Sequence, residues 1–330
     1  MLFSVVVPIW KRPKELELLL DSLNNQAQQH EILIEVILSD SNSGLEIDKV
    51  ISKAIVENKN LKIIHIQTQN IVAAKRNVGT YSATGDYLIY LDDDCIPDEA
   101  FISDCIENIG EINSEKIVIC GEVRFVDSMV NKSNYYRYRD SQHPHFSKEI
   151  KLKLNAWSFV SMNYMLSRKA LLLAQISYGE EFYGYGAEDH DYGYQLCKSG
   201  FKIVQGKQKI WHHEYGGSID KYAIKIYHTA RDGMLNLKNV NNDLYRNSSR
   251  NINLVEKIFS KKNLLSLILY YLFFNNLFYS FVVFILNRTD TNKVFYVHSL
   301  FRYVILRSYV KGVLDRVNVD KNKLIGNWYN

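Results

Sequence analysis

The 330-residue chain is 47% hydrophobic and 23% charged, with a formal net charge of +4. That balance describes a folded globular protein and excludes a disordered one, and the length suits one large domain or a core domain with an appendage. The mild positive charge comes with no groove-reading motif, which argues against nucleic acid as a partner.

Ser4 to Ile9 is a β-branched run broken at Pro8, the pattern of a buried strand. Glu15 to Asn24 carries Leu16, Leu19, Leu20 and Leu23 at helical spacing. Glu31 to Leu38 alternates, with Ile32, Ile34, Val36 and Leu38 on one face, and Leu61 to Ile66 reads as a further strand. Ile71 to Ala83 reads as a helix ended by Gly85, and Tyr87 to Leu91 as a strand. Strands alternating with helices across short polar turns predict a parallel sheet with helices on both faces. Ligands of such sheets bind beyond the carboxyl ends of the strands, where Asp40 and Asp92 to Asp94 fall.

Further on, Lys116 to Phe125 contains a strand, Ala156 to Leu166 is apolar and aromatic, and Arg168 to Gln175 is helical. Gly184 and Gly186 mark a turn ahead of a helix over Glu188 to Lys198, with Gly200 suited to its C′ position. Phe201 to Val204 and Lys209 to Trp211 read as two strands. Leu264 to Leu286 is a run of 23 uncharged residues, long enough to cross a bilayer but interrupted by Asn275 and Asn276. Lys261, Lys262 and Arg288 flank it, and Val294 to Val317 reads as a basic amphipathic segment. Together these segments predict a helical extension that lies on a membrane surface. A true span, or helices packed on the core, are the alternatives.

The cysteines Cys95, Cys105, Cys120 and Cys197 are scattered without a C-x-x-C, so neither a disulfide framework nor a zinc knuckle is expected. The N-terminus MLFSVVVPIWKRP lacks the features of a signal peptide, so the catalytic part is expected in the cytoplasm, and the C-terminal segments predict a peripheral place on the cytoplasmic membrane.

Three like charges at a strand end raise one another's pKa and require a positive partner. Carboxylates there suit Mn²⁺ or Mg²⁺, whose open positions take the phosphates of a substrate. An EF-hand is excluded, because Ile96 and Pro97 stand where it needs an oxygen ligand and a glycine. Taken by themselves, Glu188 and Asp189 read equally as helix-capping residues or as candidate bases.

The stretches "VVVPIWKRP", "NIVAAKRNVGTYSATGDYLIYLDDD" and "YGYGAEDHDYGYQLCKSGF", in that order, resemble the family 2 glycosyltransferases of GT-A fold over about Phe3 to Gly217. The resemblance implies a doubly wound mixed α/β sheet in a domain over 1–220. Residues 1–100 would form its nucleotide-binding half and 101–220 its acceptor-binding half, with a helical extension over 221–330. It implies that Pro8 and Arg12 open the nucleotide site and that Asp40 contacts the uracil and ribose side, although Ser39 stands where the family often has a second Asp. Arg76 and Asn77 match the segment lining the donor pocket, here reading Lys75-Arg76-Asn77. Asp92, Asp93 and Asp94 match the DXD motif that binds metal and sugar nucleotide, with Asp94 the direct ligand and Asp92 a ribose or sugar contact that also belongs to the metal site. Asp189, beside Glu188, matches the catalytic base. His212, or else His213, matches the histidine that completes the metal shell.

"YGYGAED" is also similar to the "WGWGGED" of β-1,4-galactosyltransferases and chondroitin-type polymerases, where the position of Tyr185 lines the acceptor site. Gly186 beside it and Trp157 are the further acceptor-side candidates. The expected reaction is inverting, metal-dependent transfer of Gal, GalNAc or GlcNAc from a UDP-sugar to a saccharide acceptor. The apolar extension points to a lipid-linked acceptor and to surface-polysaccharide assembly. Two other readings compete. A sugar nucleotidyltransferase would need a glycine-rich loop after the first strand, and "PIWKRPKE" has no glycine. A non-catalytic glycan binder would not need intact acidic motifs.

Overall fold

The computed structural model describes residues 3–42, 44–114, 116–143, 153–261 and 263–316; Lys262 and Val317 lie outside them. The chain divides into two compact units. The first is Met1–Arg124, His143–Glu180 and Asp189–Glu214, and the second is Phe125–Gln142, Glu181–Glu188 and Tyr215–Asn330.

The first unit is built on an eight-stranded sheet. Its strands are β1 (Phe3–Pro8), β2 (Ile34–Asp40), β3 (Leu61–Gln67), β4 (Tyr87–Leu91), β5 (Cys95–Pro97), β6 (Ile117–Phe125), β7 (Asn163–Ser167) and β8 (Lys202–His212). The order is β3-β2-β1-β4-β7-β6-β8-β5. The pairs β1·β2, β2·β3 and β1·β4 are parallel, while β7 runs antiparallel to β4 and β6, and β5 antiparallel to β8. The chain therefore winds one way from β1 to β3 and then returns to the other side of β1. That reversal opens a crevice at the carboxyl ends of β1 and β4, the place where open α/β sheets bind ligands.

Helices α1 (Pro13–Gln29), α2 (Leu45–Glu57), α3 (Val72–Ser82) and α4 (Phe101–Ser114) belong to this unit. Pro13 at the start of α1 sets the helical φ without removing a needed donor. Leu16, Leu19, Leu20 and Leu23 then point into the same core as Val5, Val7, Val36 and Ile89. Strand β2 is buried along its whole length, Glu35 included, not on one face as the alternation predicts. It sits between β1 and β3, and strands in such positions lose both faces to covering helices. The two strands expected over 201–211 are one strand. Gly206 does not break it; a Cβ there would fall 2.3 Å from Ile119 Cγ2, so the glycine permits close packing.

The second unit is helical. Phe125, Tyr135, Tyr138, Ile219, Phe301 and Val304 form one of its cores, and Ala230, Val255, Phe259 and Val310 another. The basic segment near the C-terminus is the helix His298–Leu314, which buries Phe301, Val304, Val310 and Val313. Beyond its end, Arg316 is held by Glu256 at 2.6 Å. The run of 23 uncharged residues is not one helix. It forms Leu264–Phe273 and Asn276–Arg288, because the Asn275 side chain accepts from Phe278 N at 2.9 Å and caps the second. At 1.5 Å per residue these are about 15 and 20 Å long, each short of the roughly 30 Å hydrocarbon core of a bilayer. The whole stretch Leu264–Arg288 still has mean hydropathy 1.7 over its most apolar window, of which 11% is buried.

Candidate active site

The aspartates have their positive partners within the first unit. After β1 the chain turns through Trp10 and Arg12. The Trp10 N–H donates to Asp93 Oδ2 at 2.6 Å, and Arg12 Nη1 donates to Asp93 Oδ1 at 2.6 Å. The same Arg12 nitrogen lies 3.0 Å from Asp94 Oδ2. Asp92 is met by Arg76 Nη2 at 3.0 Å. The buried Asp93 is thus a tie between the loops after β1 and β4. Burial pushes its carboxyl up to about 6 and Asp94 adds to the rise, against the pull of Arg12. Burial also raises Asp92, opposed by Arg76 and reinforced by Asp94 and Asp189. The Arg12 guanidinium is held firmly in its charged form, because Asp93 and Asp94 outweigh its burial.

His212 reaches the same place through the sheet. Strand β5, too short to be legible in the sequence, pairs Cys95 with His212 at the end of β8. His212 Nε2 lies 3.3 Å from Asp94 Oδ2, and the His213 N–H donates to the Asp94 carbonyl at 2.8 Å. Two ligands of one octahedral cation sit roughly 3 Å apart. Carboxylate with imidazole is a donor set that suits Mn²⁺, so Asp94 and His212 fit a divalent metal.

Helix α3 supplies the next layer, with Lys75, Arg76 and Asn77 all buried. Lys75 Nζ donates to the Ile9 carbonyl at 2.8 Å; burial brings its pKa down to about 8 against the charges of Asp40 and Asp93. Arg76 forks. While Nη2 holds Asp92, Nη1 holds Asp189 Oδ1 at 3.2 Å, joining two carboxylates distant in sequence. The Asn77 amide clamps the chain at Tyr178, donating to its carbonyl at 2.9 Å and accepting from its N–H at 2.8 Å, and donates also to Glu180. Pro8 ends β1, and Asp40 ends β2, where it accepts from Ser41 N at 2.6 Å and Gln67 Nε2 at 3.1 Å. Asp40 also groups with Asp48 and His65.

Asp189 lies in the first turn of the Glu188–Lys198 helix. Next to it His190, whose pKa burial lowers against the charge of Asp189, has its ring 4.6 Å from that of Trp157. The predicted acceptor-side residues Tyr185 and Gly186, with Glu188, belong to the second unit. Gly186 has φ +90°, a left-handed conformation natural to glycine, and a Cβ there would meet Thr229 Oγ1 at 2.8 Å. Gly233 lies beneath it, where a Cβ would fall 2.4 Å from the Gly186 carbonyl oxygen. Thr229 and Gly233 bound a π-helical turn, a feature frequent at functional sites.

A mixed sheet with carboxylates gathered at the β1/β4 crevice defines the nucleotide-diphospho-sugar transferase fold, GT-A. S. aureus TarS, residues 1–349, shares it with TM-score 0.52 at 17% identity, covering 94% of this chain and 90% of that one. The model of "Glycosyl transferase family 2" matches residues 4–172, and the chain belongs to that family. The chondroitin synthase of Escherichia coli is 25% identical over 65% of this chain and 35% of its own length. That of Pasteurella multocida is 24% identical over 65% and 25%. The chain thus spans about a third and a quarter of these relatives.

Proposed function

We propose that the protein transfers Gal, GalNAc or GlcNAc from a UDP-sugar to a saccharide acceptor with inversion, in surface-polysaccharide assembly. The observation that carries the reading is the Asp92–Arg76–Asp189 bridge, which puts the expected catalytic base beside the expected donor carboxylate. Two chondroitin synthases among the relatives support a saccharide acceptor. In this reading Pro8, Arg12, Asp40, Arg76, Asn77 and Asp92 to Asp94 line the donor site, and Tyr185, Gly186 and Trp157 the acceptor side. Asp189, next to Glu188, takes the proton of the acceptor hydroxyl as its oxygen attacks the anomeric carbon, and the bond to the diphosphate oxygen breaks. Mn²⁺ or Mg²⁺ held by Asp94 and His212, with Asp92 alongside, would offset the charge of the departing diphosphate. Arg12 and Arg76 are the cations of the chain itself at the same place.

Thermal unfolding tests the donor site without knowledge of the acceptor. UDP with Mn²⁺ at about 100 times the Kd should stabilise by about 2.7 kcal/mol. EDTA or Asp94→Ala should remove the gain. No shift with UDP, in the presence of metal, overturns the donor assignment.

The acceptor is lipid-linked in this proposal, and the second unit rests on the cytoplasmic membrane through the Leu264–Phe273 and Asn276–Arg288 helices. Leu265, Tyr271, Leu272, Leu277, Phe281 and Phe284 are exposed there, with Leu277 at 86%. Lys261, Arg288 and Lys293 flank them, and an apolar face edged by basic residues suits anionic lipid. The protein should float with phosphatidylglycerol vesicles. Leu272→Asp with Phe281→Asp should abolish flotation and leave the UDP shift intact. Wild-type protein that stays at the bottom of the gradient overturns the membrane assignment.

A further inference from the structure

Beneath Arg76 lies a cluster of buried tyrosines, Tyr90, Tyr164, Tyr178 and Tyr192. Tyr178 stacks on Tyr192 with centroids 3.9 Å apart and planes within 5°, and Tyr90 stacks on Tyr164 at 4.3 Å. Their hydroxyls bond one another and the helix that carries Arg76. Tyr164 and Tyr178 meet at 2.9 Å, and Tyr90 meets Thr80 Oγ1 at 2.6 Å. Thr80 Oγ1 in turn donates to the Arg76 carbonyl at 2.7 Å. A hydroxyl buried without a partner is costly, and phenylalanines would fill this space with no such demand. A fully satisfied polar network does what an apolar core cannot: it fixes one orientation of each ring. The ring so fixed at the top is that of Tyr178, 5.2 Å from the Arg76 guanidinium carbon. The Tyr178 backbone is locked at the same time by the two bonds to Asn77, the neighbour of Arg76.

We propose that Tyr178, held by Tyr164, Tyr192 and Tyr90, is the positioning residue for Arg76, and that Arg76 sets the separation of Asp92 from Asp189. This rests on the reading of Asp189 as the base. Nothing in the cluster has to touch donor or acceptor. Its effect is transmitted through one rigid fork, 3.0 Å to one carboxylate and 3.2 Å to the other. A guanidinium free to tilt would move the base relative to the donor, and a misplacement of about 1 Å can cost a hundredfold in rate.

The test uses the full chain and reads UDP release into water from UDP-Gal, UDP-GalNAc or UDP-GlcNAc, so no acceptor is required. Tyr178→Leu, which removes the ring, should lower kcat about 100-fold. UDP affinity, read from the thermal shift, should stay within about threefold, since Arg12 holds Asp93 and Asp94 without help from Arg76. Tyr164→Phe and Tyr178→Phe each delete the same 2.9 Å hydroxyl contact and keep the ring. Each should lose about tenfold or less, and the double variant less than the product of the two, because they share that contact. Should Tyr178→Leu fail to fold, this phenylalanine cycle carries the test, and full additivity in it overturns the network. Tyr178→Leu in the Asp189→Asn background should add nothing, because its effect passes through Asp189. Tyr178→Leu with wild-type kcat, while Asp189→Asn is inactive, overturns the positioning role and leaves the base assignment standing. Asp189→Asn with wild-type kcat, or no UDP release from any of the three donors, overturns the base reading and this inference with it.

Discussion

Asp189→Asn should lower the rate of sugar transfer by about 10²- to 10⁴-fold, the range of a general base, and leave UDP binding intact. The substitution is nearly isosteric, and the Asn carbonyl oxygen can still accept from Arg76 Nη1, which stands 3.2 Å from Asp189 Oδ1. What disappears is affinity for a proton. Asp92 keeps its own bond to Arg76 Nη2, so the donor side retains its charge partner. The measurement pairs initial rates of UDP release with the UDP-dependent thermal shift on the same preparation. Turnover within tenfold of wild type removes Asp189 from the role. Loss of turnover together with loss of the UDP shift would mean that the substitution had disturbed the donor pocket, and would overturn the separation of base from binding site.

The aspartate triplet shows how far a sequence carries such a site. That Asp92, Asp93 and Asp94 need positive charge follows from their spacing alone, and so does their place at a strand end. Which charges answer them does not. Arg12 follows β1, Arg76 lies on α3 and His212 ends β8, and only the winding of the sheet brings them together. The Arg76–Asp189 pair spans 113 positions, and no local pattern predicts it.

Local structure was legible where periodicity was strong, as in α1 and in the Glu188–Lys198 helix, which begins and ends where the sequence places it. Helix α2 has a weak local signal although Ile47, Ile51 and Ala54 stand at helical spacing, because it begins at Gly44 without a side-chain cap. Helix α4 follows directly on the acidic motif, and its signal in the sequence is the spacing of the buried Phe101, Ile102 and Cys105. Between Val204 and Lys209 the polar sequence carries no strand signal, yet β8 runs through it, and the missing side chain of Gly206 makes room for Ile119.

Glu35 carries the largest expected effect on stability. It faces Ser4 across the β1·β2 pair and is fully buried. It accepts from Ser4 Oγ at 2.5 Å, from Thr84 N and Oγ1 at 2.7 Å each, and from Lys62 Nζ at 2.9 Å. Ser4 Oγ in turn accepts from Gly85 N at 2.8 Å. One carboxylate therefore ties β1 and β2 to the turn that leads into β4, the strand carrying the aspartates. Burial by itself would raise the Glu35 pKa, but the bonds from Ser4, Thr84 and Lys62 overcome it and bring the value to about 2. Lys62 is half exposed and contributes little of this, because water screens it. Glu35→Ala should cost about 3–5 kcal/mol, since it strands the Ser4 and Thr84 donors inside the sheet. Glu35→Gln should cost less, because it keeps one accepting oxygen.

The sign of the pH dependence follows from the depressed pKa. A carboxyl that titrates lower in the folded state than in the unfolded chain stabilises fully above the unfolded value of about 4.3, and that stabilisation drains away as pH falls toward 2. The contribution is about 3 kcal/mol at neutral pH. Urea unfolding of wild type and Glu35→Gln at pH 7 and at pH 3 measures it. The two proteins should differ clearly at pH 7, and the gap should narrow at pH 3 as protons bind the unfolded wild-type chain. A gap of the same size at both values would mean that Glu35 holds the strands by shape and not by charge.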